Sequence, residues 1–127
     1  MPDWIVSKSS PRPVPDTVQR LSELASANGL KLFTVIDHSG EAAAHGLELR
    51  DTKVVVFGSP VAGTAVMQAA PLAALDLPLK VLVYDDDGQT RVSYTAPAEL
   101  ASRYGLSDEL AARLAGIDGL TDALVSA

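Results

Sequence analysis

Leu79-Lys80-Val81-Leu82-Val83-Tyr84-Asp85-Asp86-Asp87-Gly88-Gln89-Thr90-Arg91-Val92-Ser93-Tyr94-Thr95 decides the fold. β-branched and aromatic residues fill both halves, and an aspartate cluster ending in glycine divides them. The pattern predicts a hairpin with strands over 79–85 and 89–95 and a three-residue turn at 86–88. Consecutive strands of this kind build an antiparallel sheet, against which helices pack on one side.

Upstream, Lys53 to Gly58 is a short continuous apolar run, the mark of a strand covered on both faces or nearly so. Leu30 to His38 is rich in β-formers and predicts another strand, and Trp4, Ile5 and Val6 predict a short one over 3–8. Three prolines between Ser9 and Pro15 remove donors and fix φ, which predicts an extended connection. Asp16 with Gln19 three residues on has the form of a helix start, and Val18, Leu21, Leu24 and Ala25 share a face. Asn28-Gly29 ends that helix. A helical turn over 41–45 stops at Gly46, and Thr64 is placed to cap a helix over 65–70.

Downstream, Pro97 opens a helix that stops at Gly105. Ser107 caps another, with Leu110, Leu114 and Ile117 on one face. Gly116 and Gly119 weaken its continuation, so residues 121–127 are expected to continue or fray. The order is β-α-β4-α: an α+β domain with a five-stranded, mainly antiparallel sheet and helices on one face. At 127 residues the chain fits one domain, 1–127.

Composition excludes several functions. With no cysteine there is no disulfide, thiolate metal site or thiol catalysis, and a reducing compartment is compatible. The net charge is −6, and the ten basic residues are scattered, so no nucleic-acid partner and no anionic-membrane partner is expected. The longest apolar region, Val61 to Tyr84, is broken by Pro71, Asp76, Pro78 and Lys80 and does not read as a membrane span. Met1 to Trp4 lacks the features of a signal peptide, so the expected location is the cytoplasm.

Chemistry-bearing residues gather around Gly58-Ser59-Pro60-Val61-Ala62-Gly63-Thr64 and Asp76-Leu77-Pro78-Leu79-Lys80. The first has the outline of a phosphate-binding loop but lacks the lysine before Thr64. Its free N–H groups could hold a small anionic ligand, or it is simply a tight turn into a helix. Asp37-His38 ends a strand. A metal site would have to draw on His38, His45 and a carboxylate such as Asp37 or Asp76. No metal and no cofactor is predicted. Asp85-Asp86-Asp87-Gly88 lacks the later glutamate of a calcium loop and reads as a turn.

The three-residue turn pairs Asp85 with Gln89, which puts Lys80 opposite Tyr94 among Leu82, Tyr84 and Val92. A lysine there needs a partner. Either Asp76 neutralises it in a half-buried pair, or Lys80 lies at an edge and reaches water.

Asp37-His38, Phe57-Gly58-x-Pro60, Gly63-Thr64-x-x-Met67-Gln68, Ala74-Leu75-Asp76-Leu77-Pro78-Leu79-Lys80, and Ser93-Tyr94 followed by Pro97 and Arg103-x-Gly105 resemble the bacterial family called domain of unknown function 302. The resemblance covers a core of about 14–105 and leaves a helical C-terminal segment, 107–127. It implies a compact β-α-β4-α unit, similar in layout to the TATA-binding-protein fold and prone to form a homodimer, with no assigned activity. Where family members often carry Asp or Asn before the proline, this chain has Ala96, so the cap at Pro97 is weaker or moves to Thr95.

Three functions follow as expectations. The first is a small-ligand or partner-binding module with His38, Gly58, Pro60, Gly63, Thr64, Met67, Asp76, Lys80 and Tyr94 as candidate site residues. The second is an enzyme of small polar substrates with Lys80, Tyr94, Asp76 and His38 in one pocket. The third is an assembly role only.

Overall fold

The computed structural model describes residues 2–127. The strands are β1 (Ile5–Ser10), β2 (Lys31–Asp37), β3 (Thr52–Gly58), β4 (Leu79–Asp86) and β5 (Gln89–Thr95). The helices are α1 (Val14–Ala27), α2 (His38–Ala44), α3 (Pro60–Ala69), α4 (Pro97–Tyr104), α5 (Asp108–Leu114) and α6 (Gly116–Val125), with a 3-10 segment at Pro71–Asp76. The five strands form one sheet in the order β1-β5-β4-β3-β2, and every neighbouring pair is antiparallel. This is the α+β arrangement expected from the run of strands.

One face of the sheet is covered. Val55, Phe57, Val81, Val83, Val92 and Tyr94 alternate along β3, β4 and β5 and meet Val14, Leu21 and Ala25 of α1 and Ile117, Leu120 and Leu124 of α6. Each such aliphatic side chain withdrawn from water contributes about 1.5–3 kcal/mol. A smaller second core joins α3, the 3-10 segment, α4 and α5 through Val66, Ala73, Leu100 and Leu114. It sits where β3 ends and β4 begins.

The hairpin turn differs from the expectation, and the difference matters. Asp86 pairs with Gln89, so the turn has two residues, Asp87 and Gly88, with φ of 50° and 90°. A two-residue hairpin turn with positive φ at both positions matches the right-handed twist of its strands. Asp87 tolerates that conformation, and the Gly88 N–H donates to Asp85 Oδ1 at 2.7 Å. The expected register is therefore off by one residue, and such a slip exchanges the two faces of a strand. Lys80 stands beside Val56 of β3, and Tyr94 beside Val6 of β1. Lys80 is exposed on the uncovered face, whereas Tyr94 is buried on the covered one.

Other boundaries moved for local reasons. β1 runs to Ser10, and α1 begins at Val14 with Pro13 at its cap position, so Asp16 lies in the first turn rather than capping it. Pro15 fits in the same turn because the first N–H groups of a helix have no helical partner. α3 begins at Pro60, and Ser59 is the cap, accepting from the Ala62 N–H at 3.2 Å. Thr64 is thus inside the helix, where its hydroxyl donates back to the Pro60 carbonyl at 2.6 Å. Ser107 caps α5 as expected, and Ala96 offers α4 no side-chain cap. The C-terminal residues do not fray: α6 runs to Val125, with Leu124 fully buried.

Candidate functional site

The candidate residues separate into distinct places. Gly58 closes β3, and a Cβ built on it would meet the Pro78 Cβ at 3.6 Å, an ordinary contact. Pro60 and Thr64 are exposed on α3, while Gly63 and Met67 are half-buried. The Gly58–Thr64 stretch is mostly helix rather than an open loop. Its N–H groups are largely engaged: Pro60 has none, Ala62 bonds the Ser59 hydroxyl, and Gly63 bonds the Ser59 carbonyl at 2.8 Å. His38 is the exposed first residue of α2 and His45 follows that helix's last turn. Among the described residues no three His or carboxylate side chains gather to hold a metal.

Asp76 is the best-connected of the candidates, but not with Lys80. Its Oδ2 accepts from Arg103 Nη1 at 2.9 Å and from the Tyr104 hydroxyl. Arg103 also reaches Glu99 at 3.3 Å. Tyr104 first, and Arg103 next, hold the Asp76 carboxyl below the usual carboxylate range; Lys80 adds only a distant Coulombic contribution. The same contact raises the Tyr104 phenol. The space beside these groups, lined by Val66, Leu77, Leu100 and Leu114, is about 10 Å³, too little for more than one water. Asp76 ties the 3-10 segment to α4; it does not face a ligand cavity.

Tyr94 anchors a second cluster that the sequence reading missed. Its hydroxyl lies 2.5 Å from Asp118 Oδ1 and 3.2 Å from Thr121 Oγ1. Lys8 Nζ sits 5.5 Å over the ring centre and reaches Thr121 Oγ1 at 2.6 Å, the Asp118 carbonyl at 3.0 Å and Asp122 at 2.8 Å. Burial, then Asp118, pushes the phenol up, with Thr121 and Lys8 opposing. A phenol held neutral is a poor proton acceptor, so the cluster fits a clasp between β1, β5 and α6 better than an acid–base site. Lys8 at spacing two from Val6 on a strand was the one available signal, and it needed α6 to have meaning.

The expected enzyme constellation is therefore not assembled. Lys80 and Tyr94 occupy opposite faces, Asp76 is bound by Arg103 and Tyr104, and His38 lies on α2 beyond β2.

β2 is the feature no candidate list contained. It is an edge strand, paired only with β3, and all seven of its residues are exposed. Leu32, Phe33, Val35 and Ile36 are 41%, 45%, 37% and 38% accessible, so half of a strongly apolar strand faces water. α2 buries no residue, and Leu47 and Leu49 are exposed after it. Asp37 closes the strand: its Oδ1 accepts from the Gly40 N–H and the Ser39 hydroxyl, both at 2.9 Å, and lies 3.6 Å from Lys53. Those contacts, Gly40 first, lower its carboxyl.

Residues 6–124 match the model of the family described as domain of unknown function DUF302. The chain belongs to the DUF302 family. The match takes in α6 and so extends well past the core of 14–105 suggested by motifs. The fold is that of a DUF302 crystal structure from Bacillus stearothermophilus, with a TM-score of 0.82 at 18% identity, covering 98% of this chain and 97% of that one. Two curated relatives, named fluoride-specific ion channel FluC 1, come from Brucella suis and Brucella abortus. Each is 36% identical over 110 residues, 84% of this chain but 43% and 41% of their own lengths. The chain thus spans less than half of those relatives. Among its own described residues no helix is long and apolar enough to cross a membrane.

Proposed function

We propose that this DUF302 chain is a partner-binding module that docks another protein along the β2 edge. The observation that carries the reading is the exposure of Leu32, Phe33, Val35 and Ile36 on an unpaired strand. An apolar edge with free N–H and C=O groups is a template for strand addition, and proteins that do not use such an edge blunt it.

The opposite edge supports the comparison. β1 reads Ile-Val-Ser-Lys-Ser-Ser, carries a lysine, and packs against α6. Polar residues and an inward lysine are common ways to blunt an edge. One edge is guarded and the other is not. The longer Brucella relatives, in which the shared segment accompanies a larger remainder, favour a unit that works against another protein body. A cysteine-free, acidic chain suits the cytoplasmic side of such an arrangement. An anionic ligand at the start of α3 has less support, because the N–H groups there are largely engaged.

The test is site-specific photocrosslinking in cells. A photoreactive residue at Val35 should give a protein adduct that disappears when Ile36 is also changed to Lys. The same probe at Glu23 on α1 serves as the control. Equal, negligible adducts at both positions would remove the reading.

A further inference from the structure

We infer that the protein docked on β2 is a second copy of this chain, paired strand to strand about a two-fold axis at Thr34; the inference rests on the docking role proposed for that edge. The strand reads Lys31-Leu32-Phe33-Thr34-Val35-Ile36-Asp37. Read backwards it keeps the same classes with the end charges exchanged. In an antiparallel pair centred on Thr34, partner numbers sum to 68, since 31 + 37, 32 + 36 and 33 + 35 all give that value. Lys31 then meets Asp37 of the second copy, Leu32 meets Ile36, Phe33 meets Val35, and Thr34 meets itself. Each contact except Thr34 with itself occurs twice, as a two-fold interface requires.

The end charges are available for this. Lys31 has no acidic partner among the described residues, and its Nζ rests 5.1 Å over the Phe33 ring. Asp37 makes all its contacts within the chain through Oδ1, leaving Oδ2 without a hydrogen bond among the described residues. A parallel pairing would instead set Lys31 beside Lys31 and Asp37 beside Asp37, which is repulsive. Apolar cross-strand pairs and opposite charges each favour the antiparallel register. The ladder to β3 is irregular between Leu32 and Thr34, so the two-fold axis sets one such bend on either side of Thr34. The result is a ten-stranded sheet whose outer strands are the two copies of β1, with the two copies of α2 beside the central seam.

The experiment uses the full chain. Light scattering at micromolar concentration should give twice 13.2 kDa, or 26.4 kDa, for the native chain. Val35→Lys and Lys31→Asp should each give 13.2 kDa with unchanged circular dichroism. Because the chain has no cysteine, Thr34→Cys can link only to itself. Facing Cα atoms in an antiparallel pair lie about 4.5–5.5 Å apart, within disulfide reach. Thr34→Cys should therefore form a covalent dimer on oxidation, Ile36→Cys alone should not, and an equal mixture of Leu32→Cys and Ile36→Cys should. A native chain that stays monomeric overturns the inference. So does a dimer that survives Val35→Lys and leaves Thr34→Cys unlinked. If the Val35 photoprobe captures a different protein while the chain is monomeric, the docking role stands and the second copy does not.

Discussion

The Tyr94 hydroxyl and the Asp118 carboxylate lie 2.5 Å apart, across 24 residues of sequence. This contact fastens α6 to β5, and Thr121 and Lys8 complete the clasp. The C-terminal helix is consequently part of the main core rather than an appendage.

Tyr94→Phe keeps the ring and removes the hydroxyl. Asp118 and Thr121 each lose a partner, one of them buried. The expected cost is about 1–3 kcal/mol, read as a lower urea midpoint with an unchanged slope.

Leu124→Ala removes a fully buried side chain from the contact between α6 and α1. A loss of about 2–5 kcal/mol is expected. A loss below 1 kcal/mol (about one methylene) in equilibrium unfolding would mean that α6 is not held as described.

Asp76 gives a pH dependence of definite sign. Its folded pKa is lowered, by Tyr104 and then Arg103. The stabilisation is therefore present above the unfolded value of about 3.9 and is lost as pH falls through the folded value. Asp76→Asn should show a smaller drop in melting temperature between neutral and acid pH than the native chain.

The clasp behaves oppositely at high pH. Burial and Asp118 raise Tyr94; for Lys8 burial acts downward, but Asp122 and Tyr94 outweigh it and the ammonium is raised too. Both stabilising contributions are complete below unfolded values of about 10 and are lost as pH rises through the folded values. Tyr94→Phe should flatten the alkaline decline seen in urea titrations.

Lys80→Ala should change stability by no more than about 0.5 kcal/mol. The side chain is exposed and forms no ion pair among the described residues. Chemical denaturation of the variant checks this directly.

Residue chemistry alone determined the elements of this protein. The apolar runs at 53–58 and 79–85, the Asp-Gly turn, the stop at Gly29, the helix start at Pro97 and the cap at Ser107 act within a few residues, so local rules located them. They led to the α+β class and, with the matched motifs, to the family. Which side chains meet was decided elsewhere. One residue more or less in the turn after Asp86 exchanges the faces of β4 relative to β5, which separated Lys80 from Tyr94. Asp76 chose Arg103 and Tyr104, and Tyr94 chose Asp118, because helices distant in sequence pack beside them. The open β2 edge was equally hidden: Leu32 to Ile36 read simply as a strand, since composition reports how apolar a strand is but not whether its neighbour exists. Strand order is a property of the assembled sheet, and it alone left β2 at the rim.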